Sequence, residues 1–342
     1  MANARRERPA ETRSPTASRF SEDLVLGIDL GATKVVSGLI SPDGTIVHQG
    51  GRHLHANDGP AGVLRSLLES VDKCRADAPE YRPNRAGVAV AAQVDPRDGT
   101  VIHAPNLGWR DFPLAQKLSE SLDGVPVVVL NDARAATLAE WRLGVGRESA
   151  DFFCMILGTG VGGSAVVGGR LLEGGAHALG EVGHLTVVSG GRKCRCPNSG
   201  CLEAYVGGWA IAERAQEAVR ADPAKGAGLV RRAGSAEAIT ARTVFEAYRS
   251  SDPLGVLLVR ETERFLADGA VSISNAFNPS VIAIGGGLVS GMPEFLSVIQ
   301  DAIRSRCQPP AAGAHVMLAR FGEDAPLVGA AVAARIASAH RA

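Results

Sequence analysis

The chain has no long hydrophobic segment, although 45% of its 342 residues are hydrophobic. No apolar run approaches the ~20 residues that a helix needs to cross a bilayer, so we expect no membrane association. Net charge is also absent, because 36 basic residues balance 36 acidic ones. That balance argues against a chain that binds nucleic acid or anionic lipid over its whole surface, and we expect neither as a partner.

Aromatic residues make up only 4% of the chain, so its core must be built from Val, Leu, Ile and Ala. The first residues are rich in Arg, Pro, Ser and Thr and lack the apolar segment of a signal peptide. We therefore predict a disordered tail over residues 1–23 and a cytoplasmic protein with reduced thiols. The remaining length is sufficient for two domains of ordinary size.

Cysteines are few, and three of the six lie close together with a histidine in an H-x9-C-x-C-x4-C array. Three sulfurs and an imidazole at this spacing are typical of a tetrahedral Cys3His zinc site. The alternatives are a disulfide or unrelated core thiols, although Cys-x-Cys is too short for an easy disulfide between its own ends. The predicted ligands are His184, Cys194, Cys196 and Cys201, and two carboxylates, Glu181 and Glu203, lie in the same stretch.

Glycines are numerous, at 41, and cluster after predicted strands. Residues 24–30 and 152–157 each form an apolar strand that runs into a turn of small residues and then a second strand. This repetition predicts a duplicated α/β domain around a central cleft. Within the first half we expect a loop over 93–111, and after the cysteine array a helix over about 203–220.

The turns that follow these strands suit phosphate groups, because glycine N–H groups can approach oxygen atoms without a Cβ in the way. The pattern G-x-G-x-x-G at 158–163 is not a dinucleotide motif, since a strand rather than a helix follows it. The predicted nucleotide-binding residues are Asp29, Gly31, Thr33, Lys34, Gly158, Thr159, Gly160, Gly162, Gly285, Gly286 and Gly287. Asp29 also suits Mg²⁺ or its water ligands.

Asp132 ends the apolar strand at 125–130 and precedes a predicted helix. Its structural role would be a helix N-cap. Its functional role would be a general base at the carboxyl end of the strand, accepting the proton of a hydroxyl that attacks a γ-phosphate. Asn131 beside it offers both a donor and an acceptor to sugar hydroxyls.

These motifs together resemble the ROK family of sugar kinases and sugar-responsive repressors, within the actin-like (ribonuclease H-like) ATPase superfamily. The resemblance covers nearly all of the chain from Leu24 and rests on the segments DLGATK, PNLGW, LND, LGTGVGG, GEVGH…CRCPNSGCLE and IGGG, in that order. It implies ATP- and Mg²⁺-dependent transfer to a hexose hydroxyl, usually O6, in a cleft between two domains, with a structural Zn²⁺ and a homodimer or homotetramer.

The resemblance also implies roles for particular residues. Asp132 would be the catalytic base, and the residues contacting the sugar would be Asn106, Asn131, Glu181, His184 and Glu203. The small domain would comprise 24–135 with the closing helix 326–340, and the large domain 136–325 with the zinc knuckle.

Two positions depart from the family pattern. Gln93 stands where a Pro-Gly turn is usual, close to the expected sugar, and Pro197 follows the second cysteine of the array. Glucose is the default substrate, and the altered loop leaves kanosamine, an N-acylhexosamine or a cyclitol as alternatives.

Two other functional classes remain as alternatives. A repressor would need a helix-turn-helix domain ahead of Leu24, where only a short tail stands, so we disfavour it. An inactive sugar-binding protein is disfavoured by the retained Asp132.

Overall fold

The computed structural model describes residues 23–54 and 59–339. Of the predicted disordered tail only Asp23 is among them, so the remainder of that prediction lies outside the described chain. None of the described helices is long and apolar enough to cross a bilayer.

Three sheets organise the described chain. The strands are β1 (Val25–Leu30), β2 (Lys34–Ile40), β3 (Ile46–His53), β4 (Ala86–Val90), β5 (Gln93–Asp95), β6 (Thr100–Ala104), β7 (Trp109–Phe112), β8 (Val127–Asn131), β9 (Phe152–Leu157), β10 (Val161–Val167), β11 (Arg170–Leu171), β12 (Val281–Gly285) and β13 (His315–Leu318). The helices are α1 (Gly59–Asp77), α2 (Leu114–Ser121), α3 (Asp132–Arg142), α4 (Glu203–Val206), α5 (Gly208–Ala221), α6 (Pro223–Ala233), α7 (Ala241–Arg249), α8 (Pro253–Phe277), α9 (Gly287–Gly291), α10 (Phe295–Arg306) and α11 (Ala325–Ala339).

The two large sheets have the same topology. The first has the order β3-β2-β1-β4-β8, and the second has the order β11-β10-β9-β12-β13. In each sheet the first three strands along the chain are antiparallel neighbours, and the next two add in parallel. The predicted duplicated α/β fold is therefore confirmed. The strand β10 directly follows the turn at 158–160, as expected from the rejection of a dinucleotide motif.

The third sheet corrects the sequence prediction, which placed a loop over 93–111. Strands β5, β6 and β7 form an antiparallel meander there. Its first hairpin closes through the Gly99 N–H, which donates to Asp95 O at 2.9 Å. Strands of three to five residues are too short to show a period, and the polar turn between them masked the pattern.

The predicted helix over 203–220 is also wrong, because it is broken at Gly207. This residue is extended (φ −64°, ψ 148°) and separates α4 from α5. The break allows the first turn of α5 to donate hydrogen bonds to the glycine turn after β9, from Gly208 N to Gly158 O at 3.0 Å and from Trp209 N to Thr159 O at 3.2 Å. The Gly207-Gly208 pair is a local signal for this break, and the tertiary contact fixes its geometry.

Helices α3 and α11 pack against each other between the two large sheets. The helix α11 also contacts β1 and β4 of the first sheet, and α3 contacts β9 and β10 of the second. Their approach depends on small residues: a Cβ on Gly329 would lie 1.7 Å from Ala135 O. The start of α3 is thereby placed at the junction of the sheets. The domain boundaries at 135/136 and 325/326 stay a prediction.

We predict that Gly329→Ala lowers the melting temperature by about 5 °C or more, because the added methyl group would overlap backbone that cannot move alone. Gly313→Ala is the matched control, since a Cβ there would meet no atom within 4 Å. Thermal unfolding followed by circular dichroism measures both. Equal melting temperatures for the two variants would contradict the close packing of α3 on α11.

Candidate active site

The four predicted metal ligands converge, with their ligating atoms all within 4.8 Å of one another: His184 Nδ1 or Nε2 and the sulfurs of Cys194, Cys196 and Cys201. The chain reverses between them at Gly200, where φ is +81°. A Cβ on Gly200 would lie 1.7 Å from Val188 O, so only glycine permits this reversal.

Distances within the cluster suit a tetrahedral metal. Zinc–sulfur bonds of about 2.3 Å at tetrahedral angles would place two sulfurs about 3.8 Å apart. The Sγ atoms of Cys196 and Cys201 are 3.6 Å apart, and Cys194 Sγ lies 3.7 Å from His184 Nδ1. All six cysteines are free thiols, so the disulfide alternative does not hold. The donor set therefore fits Zn²⁺.

Pro197 does not disturb this arrangement. It lies exposed at the tip of a small hairpin that is closed by a β-bridge between Lys193 and Ser199. The N–H of Cys194 donates to Asn198 O at 3.2 Å in the same hairpin. Proline is compatible with this position, because the hydrogen bonds that close the hairpin do not need an N–H donor at position 197.

His184 connects the metal cluster to a group of carboxylates. Its Nδ1 faces Cys194, and its Nε2 lies 3.8 Å from Glu181 Oε2. Burial raises the pKa of Glu181, the charges of Asp132 and Glu203 raise it further, and His184 lowers it. These four side chains therefore lie close enough to influence one another's charge.

Asp132 lies at the carboxyl end of β8, as the first residue of α3. The N-cap of α3 is Asn131, whose Oδ1 accepts from Arg134 N at 3.2 Å. Asn131 therefore takes the capping role that the sequence allowed for Asp132. The Asp132 carboxylate accepts the Ala133 N–H at 2.8 Å and also interacts with the Asn131 side chain, and its remaining lone pairs can accept from a ligand. Burial raises its pKa.

A cleft opens in front of Asp132. Its walls come from the end of β8, the start of α3, β10, the loop ahead of β5 and the loop before the metal cluster; the lining residues are Ala92, Gln93, Asn131, Asp132, Ala133, Arg134, Gly162, Gly163, His177, Ala178, Leu179, Gly180 and Glu181. Three of the predicted sugar and catalytic residues, Asn131, Asp132 and Glu181, thus share one cavity with Gln93.

The other predicted sugar residues are placed around this cleft. Glu203 accepts hydrogen bonds from Val161 N at 2.9 Å and from Trp209 Nε1 at 3.1 Å, which fix its carboxylate beside the glycine turn. His184 stands behind Glu181. Asn106 lies exposed on a short 3₁₀ helix between β6 and β7 and is not among the residues that line the cleft.

A second cavity collects the predicted phosphate-binding turns. Its lining includes Asp29, Lys34, Gly158, Thr159, Gly286 and Gly287. The turns that follow β1 and β9 are each closed by one backbone hydrogen bond of 3.0 Å. The Gly31 N–H donates to Lys34 O in the first turn, and the Gly158 N–H donates to Gly160 O in the second. Gly286 has φ +94°, and a Cβ there would lie 2.3 Å from Leu157 O. Glycine is therefore required where the turn after β12 approaches β9.

Some predicted nucleotide residues lie beside this cavity rather than on its surface. Gly285 is buried at the end of β12. Gly160 lies against Glu203, whose Oε2 would be 2.4 Å from an added Cβ. Gly162 lines the Asp132 cleft instead, so the turn from Gly158 to Gly162 separates the two cavities.

Asp29 is the most strongly perturbed group on the floor of the second cavity. Burial, reinforced by the negative charge of Asp132, raises its pKa to about 7 against the opposing charge of Lys34. A buried carboxylate with carboxylate neighbours is stabilised by a bound cation. Asp29 therefore fits the predicted Mg²⁺-binding role.

Several residues of the two cavities were not predicted from the sequence. Trp209 and the start of α7, including Thr240 and Arg242, line the second cavity. Arg134 and His177 line the first. His177 lies in a loop, with φ +54°. No local motif marks these residues, since their positions depend on how distant segments pack.

The family follows from comparison with known proteins. The model of the ROK family matches residues 25–336. The chain belongs to the ROK family. A glucokinase of Halalkalibacterium halodurans is 32% identical over 91% of this chain and 94% of its own length. An N-acetylmannosamine kinase of Escherichia fergusonii is 30% identical, with coverages of 91% and 98%.

The structural comparison agrees. A ROK glucokinase of Streptomyces griseus, solved with glucose and AMPPNP, is 33% identical and superposes with a TM-score of 0.77 over 92% of this chain and 99% of that one. The predicted family, the actin-like fold and the predicted enzyme class, an ATP-dependent sugar kinase, are confirmed by these relatives.

We predict that Asp29→Asn raises the melting temperature by about 5 °C at pH 8 and changes it little at pH 4. The pKa of Asp29 is about 7 in the folded protein and 3.8 in the unfolded chain, so folding takes up a proton at pH values between 3.8 and 7. Above this range the folded protein must bury the charged carboxylate, and the wild-type protein loses stability. Exposed Asp301→Asn is the control. A difference that grows toward low pH would contradict the raised pKa.

Proposed function

We propose that this protein transfers the γ-phosphoryl group of ATP to the O6 hydroxyl of a hexose, with glucose as the reference substrate. The observation that carries the proposal is Asp132, a carboxylate that lines one cavity and lies close enough to Asp29 of the other for their charges to interact. One cavity offers polar groups suited to sugar hydroxyls, and the other has glycine turns suited to phosphates.

Asp132 acts as the general base. Its carboxylate accepts the hydroxyl proton while the oxygen forms a bond to the γ-phosphorus and the bond from phosphorus to the β-phosphate oxygen breaks, which releases ADP. The raised pKa of Asp132 favours this step, because a more basic carboxylate accepts a proton more readily. It also means that turnover falls in acid, as the carboxylate becomes protonated.

Sugar hydroxyls are bound by Asn131 and Glu181 in the cleft, with His184 and Glu203 supporting that wall. Asn106 is the predicted contact from the third sheet. The N–H groups of the turns at 31–34 and 158–160 and the hydroxyl groups of Thr33 and Thr159 hold the phosphates, and Gly285–Gly287 lie beside the adenosine. Mg²⁺ bound near Asp29 would neutralise phosphate charge.

Zinc has a structural role in this proposal. The Cys3His cluster fixes the orientation of His184 through Nδ1, which leaves Nε2 toward Glu181. This is the arrangement in which a metal-bound histidine and a carboxylate orient each other. The metal thereby stabilises the wall that recognises the sugar and does no chemistry itself. The predicted homodimer or homotetramer and the cytoplasmic location stay predictions.

Asp132→Asn should lower kcat for glucose phosphorylation by about 100-fold or more, because no other group takes the proton. The substitution removes a buried charge, so the fold should persist, and circular dichroism checks this. ADP release measures the rate, with exposed Asp72→Asn as the matched control. Retention of more than a tenth of the normal kcat would rule out Asp132 as the base.

Metal analysis should find about one zinc per chain, as a Cys3His site requires. Cys201→Ser should lose the metal and raise the KM for the sugar more than that for ATP, because the wall of the sugar cleft is loosened. Cys307→Ser, outside the cluster, should keep the zinc. A metal-free wild-type protein with full activity would contradict the structural role.

A further inference from the structure

A third cavity, of about 480 Å³, lies beside the sugar cleft, and the phosphoryl-transfer mechanism does not use it. Both halves of the duplicated fold line this cavity, with β8 and the end of α11 from the first sheet and β11 with the turn before it from the second. One face of α3 and the end of β5 complete its walls. Small-molecule sites commonly have volumes of roughly 300–1,000 Å³ and lie where two such units meet.

Most of the wall of the third cavity is apolar. Leu130 of β8, Leu138 and Trp141 of α3, and Ile336 of α11 all line it. The Nε1–H of Trp141 donates to Ser149 O at 2.9 Å, so the indole ring brings no unsatisfied donor to the wall. This lining suits a ligand with an aromatic or branched aliphatic body.

The charged groups of the third cavity are mainly basic. Arg134, Arg142 and Arg170 line it together with one acidic residue, Glu173, which is already the counter-ion of Arg134. Arg142 and Arg170 are exposed and form no ion pair with a described carboxylate. The Arg142 guanidinium lies 3.9 Å from the centroid of the Trp141 ring, at the edge of the apolar wall. Uncompensated positive charge beside an apolar wall suits a carboxylate or sulfonate.

One ionic cluster separates the third cavity from the sugar cleft. Arg134 and His177 line both spaces, and Glu173 lines the third cavity only. Glu173 lies against both of them, with Oε1 2.9 Å from Arg134 Nη2 and Oε2 3.4 Å from His177 Nδ1. The loop that begins at Glu173 leads to Glu181, which lines the sugar cleft.

We propose that the third cavity binds a small amphipathic anion, with its apolar body against α3 and α11 and its anionic group at Arg142 and Arg170. The bound anion competes with Glu173 for the charge of Arg134, which loosens the loop that carries Glu181 and weakens sugar binding. Linked sites change each other's affinity by the same factor, so the sugar also weakens binding of the anion. Binding of the anion does not depend on the proposed kinase function; only its effect on the sugar does.

A matched pair of fluorescent probes tests the site. 8-Anilinonaphthalene-1-sulfonate has an aromatic body and a sulfonate, and N-phenyl-1-naphthylamine is the same skeleton without the charge. Titrations contain saturating ADP, which keeps the probes out of the proposed nucleotide cavity. The sulfonate probe should bind saturably, about once per chain. Absence of saturable binding would overturn the proposal.

A space-filling variant locates the bound probe. Ala337 lines the third cavity from a partly exposed position on α11, so Ala337→Phe should weaken binding of both probes by about tenfold or more. Ala221→Phe, at an exposed position on α5, is the matched control and should leave binding unchanged. Circular dichroism checks the fold of each variant. Equal binding by Ala337→Phe and the wild-type protein would place the probe elsewhere and overturn the proposal.

Charge variants test the class of ligand. Arg142→Gln combined with Arg170→Gln should lower the affinity for the sulfonate probe by about fivefold or more and leave that for the neutral probe unchanged. The matched control combines Arg231→Gln with Arg304→Gln, two exposed arginines that form no ion pair among the described residues. An equal effect on both probes, or no effect on either, would overturn the anionic class.

The effect on the sugar is measured separately, by ADP release. The KM for the sugar should rise about fivefold at saturating sulfonate probe in the wild-type protein and stay unchanged in Ala337→Phe. An unchanged or lower KM in the wild-type protein would overturn the weakening of sugar binding. If no sugar is phosphorylated but the probe binds as described, the kinase proposal fails and the site stands.

Two further results would count against the site alone. If glucose is phosphorylated and the probe does not bind, the site fails and the kinase proposal stands. A change of oligomeric state on adding the probe, seen by sedimentation, would assign the cavity to an interface between copies of the chain and overturn the small-molecule site.

Discussion

The close packing of α3 on α11 is the constraint on which the site depends. Gly329 lies against the backbone of α3, and a Cβ on Gly87 would meet Ala330 O at 1.9 Å, so the closing helix also lies directly on β4. These contacts are possible only without side chains between the backbones. They bring the first turn of α3, with Asn131 and Asp132, to the junction of two sheets that are otherwise separate. The proposed catalytic carboxylate at that junction would face a sugar on one side and phosphates on the other.

The carboxylates at this junction lower the stability of the folded protein. Asp29 and Asp132 lose water on folding, whereas the Glu181 side chain stays more than half exposed; all three have raised pKa values. Such a cluster destabilises the free protein, since two of the carboxylates are poorly hydrated and all three repel one another. A cation, a lysine and the donors of a bound sugar all relieve this cost. Ligand binding and the charge arrangement are therefore coupled, which is the usual relation between stability and activity at a site.

The wall of the cleft that carries Glu181 is held by the metal cluster and not by helix packing. A small loop with many glycines has little apolar surface to bury, so packing alone holds it weakly. Four ligands on one ion would order the hairpin at 193–199, the 3₁₀ turn at 182–184 and the start of α4 together. Glu181 and Glu203 flank these ligands in the chain, so the proposed zinc fixes both carboxylates. Residues further along the same loop, toward His177, are held instead by Glu173 and Arg134.

Much of this protein could be predicted from the sequence alone. The cysteine spacing predicted a cluster that the fold does assemble, and the repeated strand–glycine turn–strand pattern predicted two equivalent sheets. Both are local signals, because metal ligands and tight turns depend on residues close in the chain. The short strands β5–β7 were missed because they show no local period, whereas the break at Gly207 was missed although the Gly207-Gly208 pair is a local signal for it. Only the tertiary structure decided that Asn131, not Asp132, caps α3.

The tertiary structure also decided which side chains share a cavity. Gln93, Arg134 and His177 come from three separate segments, and no spacing in the sequence relates them. Their meeting at one cleft edge follows from the packing of α3 between the sheets and from the loop that leads to the metal cluster. The sequence by itself determined the chemistry that is available, because residue types and turns are local. Which groups face each other, and which donors are left without acceptors, depends on long-range packing that local patterns do not encode.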